Sequence, residues 1–430
     1  MTMINAYSSE GAERLGARAR TLIARRERAL GPAYRLFYEE PVEAARAEGV
    51  WLYDPDGNAY LDVYNNVACV GHCHPHVVAA LAAQAAELNT HTRYLNERVL
   101  DYAERMLATM PDAIGHIMFT CTGSEANDLA LRIARAHTGG IGMIVTETAY
   151  HGVTQAIAEL SPSLGAYVKL GDHVRTVPPP RAGGDAFAAG VRSALANMQA
   201  VGIKPAALLV DTVFSSDGIF TDPPGFLRDA VDAAREAGAI FIADEVQAGF
   251  ARTGDAFWGF QRHGLTPDLI TMGKPMGNGH PIAAVAARPG VLEAFGRTCR
   301  YFNTFGGNPV SCAAGMAVLD VIEADGLLAN AKRVGAMMRA GVADLAAKND
   351  GLIADIRGAG LSIGVEIAAR KDERADVLAA RIVNALRRDR ILISATGPGA
   401  NVLKVRPPLV FSEANADQFL SGLEEVLAAL

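Results

Sequence analysis

The sequence predicts an α/β protein: a large region with a central, mostly parallel sheet covered by helices, and a smaller α/β region after it. Short apolar runs recur between helical stretches, at 117–120, 142–145, 207–210, 240–243, 269–272 and 282–285. Continuous runs rich in β-branched residues are how strands covered on both faces read. From about residue 310 the pattern changes to helices near 311–323 and 325–348 and a strand at Ile363-Gly364-Val365-Glu366.

Before the sheet, the segment to about residue 70 reads as helix and then hairpin. Val50-Trp51-Leu52-Tyr53 and Ala59-Tyr60-Leu61-Asp62 flank the turn Asp54-Pro55-Asp56-Gly57-Asn58. The punctuated linker is Val177-Pro178-Pro179-Pro180 with Gly183-Gly184. Three consecutive prolines exclude helix there and predict a surface connection. No internal repeat or low-complexity tract interrupts the 430 residues.

Composition narrows the function classes. Half the residues are apolar, enough for a sizeable core, so global disorder is excluded. The net charge of −7 leaves no electrostatic footprint for a phosphate backbone, which argues against nucleic-acid partners. Five scattered cysteines do not make a disulfide scaffold and fit a reducing compartment. No window approaches the roughly 18–20 apolar residues needed to cross a bilayer. The first twenty residues lack the apolar core of a signal peptide, and Glu10, Glu13 and Glu27 among the arginines read as an exposed amphipathic helix. The expectation is a soluble cytoplasmic protein without membrane partners.

The residues after each run carry the chemistry. Thr122-Gly123-Ser124-Glu125 follows the first run and Tyr150-His151-Gly152 the second. Asp211 follows the third, Asp244 the fourth and Lys274 the fifth. Ligands of open α/β sheets bind at the carboxyl ends of the strands, so these residues are predicted to share one edge. Of seven lysines, Lys274 alone directly follows an apolar strand and precedes a glycine-rich turn, Pro275-Met276-Gly277-Asn278-Gly279. Lys332, Lys348 and Lys371 read as solvated helix faces, and Lys169 and Lys204 as loop residues. A desolvated lysine has a lowered pKa and acts as a nucleophilic amine toward carbonyls.

Asp244 ends a strand that would be buried, where a carboxylate needs a cation or donors. The pyridine nitrogen of pyridoxal phosphate (PLP) is such a partner, and PLP sites pair a lysine with an acidic residue. The structural alternative for Asp244-Glu245 is a helix N-cap with a first-turn acid. Gly123-Ser124 opens a helix with apolar residues at 126, 129, 130, 133 and 134, and its N–H groups form a phosphate cradle, or else an ordinary cap. Tyr150-His151 offers a flat ring for a cofactor face, or plain loop packing. His72-Cys73-His74 with Cys69 lacks a second cluster to complete a metal site. Gly358-Ala359-Gly360 lacks dinucleotide spacing and leads into a strand.

With these residues assembled, the chain resembles the class III aminotransferases of the fold-type I PLP family. The resemblance rests on the stretch from Phe241 to Gly254, continuing through Pro267-Asp268 to Gly273-Lys274. It also rests on Thr122–Asn127, Ala149–Gly152 and Asn303-Thr304-Phe305-Gly306-Gly307-Asn308-Pro309. It implies a segment 1–70 contributing to the small domain, a large PLP-binding domain 71–306 and a C-terminal small domain 307–430. It implies that Lys274 holds PLP, Asp244 pairs with the ring nitrogen beside Asp211, and Gln247 approaches the phenolic oxygen. Gly123 and Ser124 would hold the phosphate, and Tyr150 would stack on the ring with His151 beside it. Thr304 would reach the phosphate of a neighbouring subunit, making the active unit a homodimer.

Asn65-Asn66-Val67-Ala68, Gly71-His72-Cys73-His74-Pro75, Leu88-Asn89-Thr90 and Leu403-Lys404-Val405-Arg406-Pro407-Pro408 are similar to the alanine–glyoxylate-like branch that includes ethanolamine-phosphate phospholyases. Many class III members carry a Glu at the position of Asp211 and, three residues before Pro-Pro, an Arg at the position of Lys404. Both departures bear on recognition of a substrate α-carboxylate. The candidate substrate residues are Lys404, Arg93 as a substitute anion contact or else a surface or dimer-interface salt bridge, and Phe214 as an apolar wall or else a core aromatic, the commoner place for one just after a strand. The expected activity is transfer of an amino group from a primary or ω-amino compound to a small keto acid. The alternative is a phospholyase that eliminates phosphate from a compound such as phosphoethanolamine. A non-catalytic PLP-binding regulator is disfavoured by the intact Lys274–Asp244 pair and the absence of a DNA-binding appendage.

Overall fold

Seven strands form the central sheet of the computed structural model, which describes residues 5–349, 351–370 and 373–430. Lys371 lies outside these residues. After a helix, Ala17–Leu30, the chain makes the strands β1 (Arg46–Glu48), β2 (Trp51–Tyr53) and β3 (Ala59–Asp62). The β2–β3 turn closes as its residue types predict. Asp54 Oδ1 accepts from the N–H groups of Asp56 (3.1 Å) and Asn58 (2.8 Å), and Gly57 supplies a φ of +84°.

The large sheet holds β4 (His116–Thr120), β5 (Gly142–Thr146), β6 (Val174–Val177), β7 (Pro205–Asp211), β8 (Ile240–Asp244), β9 (Leu269–Met272) and β10 (Ala283–Ala287). Their order is β4-β10-β9-β8-β7-β5-β6. β5 to β9 pair in parallel, whereas β10 runs antiparallel to both β9 and β4. The run at 282–285 therefore departs from the parallel expectation. Because β10 opposes both neighbours, β4 points the same way as β9, and five carboxyl ends still meet at one edge.

Alternate strand residues pack on opposite faces. Leu209, Ile242 and Val285 meet Leu129, Ile133 and Phe295 of helices Gly123–Thr138 and Pro289–Thr298. Leu208, Phe241 and Ala284 turn the other way, toward Phe187 and Val191 of helix Gly184–Ala200 and Val231 of helix Arg228–Glu236. The triple proline departs in part from expectation. Pro178 is exposed, but Pro180 is buried and opens a 3-10 turn, Pro180–Ala182, where its missing N–H costs nothing.

The C-terminal region adds β11 (Ile353–Ala359), β12 (Ser362–Ile367), β13 (Ile391–Leu392), β14 (Ser394–Thr396) and β15 (Val402–Val405). β13 pairs in parallel with β3, Ile391 opposite Leu61, so residues from both ends of the chain share one sheet. The other four form an antiparallel sheet in the order β11-β12-β15-β14. Arg252, 2% exposed, ties the two regions together by donating to the carbonyls of Leu361 and Pro407.

Helix Leu327–Lys348 passes so close to the β11–β12 turn that a Cβ on Gly335 would lie 2.0 Å from the Gly360 carbonyl oxygen. Gly335→Ala would gain about 1 kcal/mol in helix propensity. Overpacking against a backbone that cannot step aside costs about 1–3 kcal/mol. The variant should unfold at lower denaturant than the parent, and a rise in the midpoint would show that the contact relaxes freely.

Candidate active site

The five strand ends enclose a cavity of about 350 Å³. Thr122 to Ser124 after β4, Tyr150 to Gly152 after β5, Asp211 at the end of β7, Asp244 and Gln247 from β8, and Lys274 after β9 line it. His280, in the turn before β10, and Val67, just beyond the hairpin, complete the rim.

Thr122 caps the helix Gly123–Thr138 by accepting from Glu125 N at 3.2 Å. Among the described residues nothing accepts from the N–H groups of Gly123 and Ser124. These two donors stand free at the positive end of a sixteen-residue helix. The backbone there is crowded. A Cβ on Gly152, at φ +138°, would fall 2.6 Å from Ser124 Oγ, and one on Gly123 would fall 3.0 Å from Val246 Cγ2. Ser124 Oγ accepts from Val153 N at 3.1 Å, which fixes the loop carrying Tyr150.

Asp244 is 4% exposed and fully engaged. Its Oδ2 accepts from Asn127 Nδ2 (2.9 Å) and faces His151 Nδ1 (2.7 Å), and its Oδ1 accepts from Val246 N (3.1 Å). Asn127 is itself held, because its Oδ1 accepts from Thr271 Oγ1 at 2.7 Å and its amide also donates to His151 O at 2.8 Å. Asp211 pairs in register with Asp244 and accepts from Val213 N (3.1 Å) and Ser215 N (2.9 Å). Burial, with the neighbouring Asp244 charge, raises its carboxyl above the ordinary range against those donors. The Lys274 amine is lowered from the lysine range, mainly by burial and then by Arg406, while Asp244 and Asp211 pull it back up.

The comparisons with known proteins agree with this geometry. Residues 37–427 match the family model "Aminotransferase class-III". The chain belongs to the class III aminotransferases. It is 39% identical to an alanine–glyoxylate aminotransferase 2-like protein of Drosophila melanogaster, over 94% of this chain and 86% of the relative. It is 36% identical to an ethanolamine-phosphate phospho-lyase homologue of Caenorhabditis elegans, over 95% and 93%. A phospholyase from Arthrobacter, solved with phosphoethanolamine, superposes with a TM-score of 0.92 at 43% identity, covering 95% of this chain and all of that one.

This aminotransferase is PLP-dependent, with the fold-type I architecture. The residues fit the cofactor: two unpartnered N–H groups at a helix start suit a phosphate, a sealed carboxylate suits a ring nitrogen, and a desolvated amine suits a carbonyl.

The remaining expected residues lie outside this cavity. Phe214 is fully buried and packs edge-on against Phe187, 5.6 Å between ring centres, and beside Phe226. Its φ of +52° swings it under the strand end into the core, so it forms no substrate wall. Lys404 does not line the cavity; its Nζ donates to Ser215 O at 3.2 Å, and burial holds its amine well below the lysine range. Arg93 lies outside the cavity, its guanidinium 3.7 Å from the Phe302 ring centre. Thr304 is exposed and outside the cavity of its own chain. His72 bonds Asp62 at 2.8 Å.

Asn127, Asn66, Val246 and Arg406 are site residues to which sequence reasoning assigned no role. A signal for Asn127 was present, since it is polar on the otherwise apolar face formed by Ala126, Leu129 and Ala130. Arg406 had none, because its environment comes from segments over 150 residues away.

Two outcomes follow. In the PLP-free protein, competitive acylation with peptide mass spectrometry should show the Lys274 amine reacting with a pH midpoint below the ordinary lysine value of 10.5, and Asp211→Asn should lower it further. An unshifted midpoint would contradict the desolvated site. Phe214→Ala should cost about 3–5 kcal/mol in stability with substrate KM little changed; a selective KM effect would return Phe214 to substrate binding.

Proposed function

We propose that this aminotransferase moves the amino group of a primary amine or ω-amino compound to a small keto acid such as pyruvate or glyoxylate, as a cytoplasmic homodimer. The observation that carries the reading is the convergence of Lys274, Asp244 and the free N–H groups of Gly123 and Ser124 on one cavity.

Lys274 would hold PLP through its Nζ until the incoming amine takes its place. When bound, PLP supplies an electron sink for the carbon that loses its proton. Lys274 Nζ, freed once the substrate amine has displaced it from the cofactor, would take that proton and return it two atoms away, work suited to an amine whose pKa burial has lowered. Asp244 faces the ring nitrogen, held still by Asn127 and Val246 N. Gly123 and Ser124 would bind the phosphate and Tyr150 would cover the ring, with His151 behind Asp244 and Asp211 beside it. Thr304 extends this cradle to the partner subunit. The exposed apolar and aromatic residues beside it, Tyr94 (67%), Leu95 (101%) and Phe305 (70%), are those a second copy would cover.

One observation favours the phospholyase reading. Lys274 is the only Lys or Arg among the described residues lining the cavity, so no bidentate clamp awaits a substrate α-carboxylate there. A donor without that carboxylate fits, and phosphoethanolamine, bound by the Arthrobacter phospholyase, is one.

Borohydride reduction of the yellow protein should fix a pyridoxyl group on the Lys274 peptide, and a label on any other lysine would sink the assignment. Incubation with phosphoethanolamine separates the activities. Release of inorganic phosphate and acetaldehyde without added keto acid indicates elimination; alanine formed from pyruvate and an amine donor indicates transfer.

A further inference from the structure

Arg406 is 5% exposed, and among the described residues no carboxylate lies within ion-pair distance of it. An unpaired buried guanidinium is costly unless its donors are used. Its Nε donates to Tyr64 O at 3.3 Å, its Nη1 donates to Gln247 Oε1, and the guanidinium lies 5.0 Å from the Tyr64 ring centre. Its own N–H donates to Val63 O at 2.8 Å, fixing the backbone beneath.

The bond to Gln247 has a directional consequence. A guanidinium has only donors, so the Gln247 atom that meets it must be the carbonyl oxygen. The same oxygen accepts from Asn66 Nδ2 at 3.0 Å. Reversing Gln247 would put its NH2 against the arginine donors, so the flip that usually leaves an amide ambiguous is closed here. Both protein contacts fall on Oε1. Nε2 is left without an acceptor among the described residues, on a side chain that lines the cavity.

We propose that Arg406 is a positioning residue: it locks the Gln247 amide so that its NH2, and not its carbonyl, is presented to the phenolic oxygen of PLP. The inference deepens the reading above and rests on the approach of Gln247 to the phenolic oxygen that the family resemblance implies. The charged groups around Lys274 are Asp244 and Asp211 at the strand ends and Arg406 and Lys404 at and beyond β15. Tyr64 and Asp62 approach Arg406 from the hairpin side.

The test is a pH titration of the visible absorption band of the PLP-loaded dimer. A donor on the phenolic oxygen favours its anionic form, so losing it lets the nearby nitrogen keep its proton to higher pH. Gln247→Leu should raise the midpoint by about one unit, the tenfold change that a hydrogen bond to a charged oxygen supplies. Arg406→Lys keeps the positive charge and loses the planar fork, so it should also raise the midpoint in the parent and add nothing in the Gln247→Leu background. An unmoved midpoint in Arg406→Lys, or an equal shift in both backgrounds, overturns the role of Arg406 alone. An unmoved midpoint in Gln247→Leu overturns the placement of PLP as well. Should the Arg406 variants not fold, Gln247→Glu still tests the contact: it keeps the arginine, has no NH2 and adds a negative charge, so its midpoint must rise at least as far as in Gln247→Leu, and parental behaviour overturns the proposal.

Discussion

A carboxylate at the end of a covered strand has to be satisfied by the protein before it can serve any ligand, and Asp244 sets that requirement for the whole site. Its donors come from three directions: Asn127 from the phosphate-cradle helix, His151 from the loop after β5, and Val246 N from its own turn. Asn127 is fixed in turn by Thr271 on β9. One buried group therefore sets the relative positions of four segments that are distant in sequence. The glycines at 123 and 152 fit the same crowding: a Cβ at 123 would press on the Val246 side chain, and one at 152 on Ser124, where the helix start and the Tyr150 loop converge.

Around this centre, the C-terminal region holds the segment after β7 from above. Arg357 donates to the carbonyls of Gly218 (2.9 Å) and Ile219 (3.0 Å), Thr396 Oγ1 donates to Ser215 O (2.8 Å), and Lys404 donates to the same oxygen. The segment needs holding, since Phe214, Gly218 and Ile219 all adopt positive φ. It also carries a second buried acid: Asp217 accepts from Thr146 (2.8 Å) and Thr148, and burial pushes its carboxyl up to about 6. A turn with this much strain and buried polarity keeps its shape only while the clamps remain, so the small region contributes to the site by shaping the loop beside Asp211.

Much of this was legible in the sequence. All six apolar runs are strands, and the residues after five of them do meet, because strand ends impose proximity whatever the loops do. The sense of β10 was not legible: an apolar run reads alike in either direction, and only the pairing reveals it. The short strands β6, β13 and β14 escaped notice because two to four residues carry too little periodicity. Phe214 shows the limit of reading by position. Three residues beyond Asp211 implies the cavity for an ordinary turn, but one left-handed residue sends the ring into the core. Asn66 and Arg406 were invisible for another reason, since their roles exist only where the hairpin and the strand after β14 come together.

The departure at Lys404 takes on a different meaning once strand geometry is considered. Side chains two apart on an extended segment share a face, so an arginine at 406 lies on the same side as residue 404, roughly 7 Å further along. Val405, between them, is buried in the core. The resemblance implies one arginine at the position of Lys404 for a substrate carboxylate; this chain carries two cations on that face and directs each to protein. Lys404 takes a carbonyl of the turn after Asp211, and Arg406 takes Gln247. With both engaged, the cavity keeps Val67, Tyr150 and Ile282 as its apolar and aromatic lining, beside polar groups such as Ser124, Gln247 and His280, whose Nε2 faces Ser311 Oγ at 2.9 Å. With no arginine among the described residues that line it, the cavity offers no planar fork for a substrate α-carboxylate.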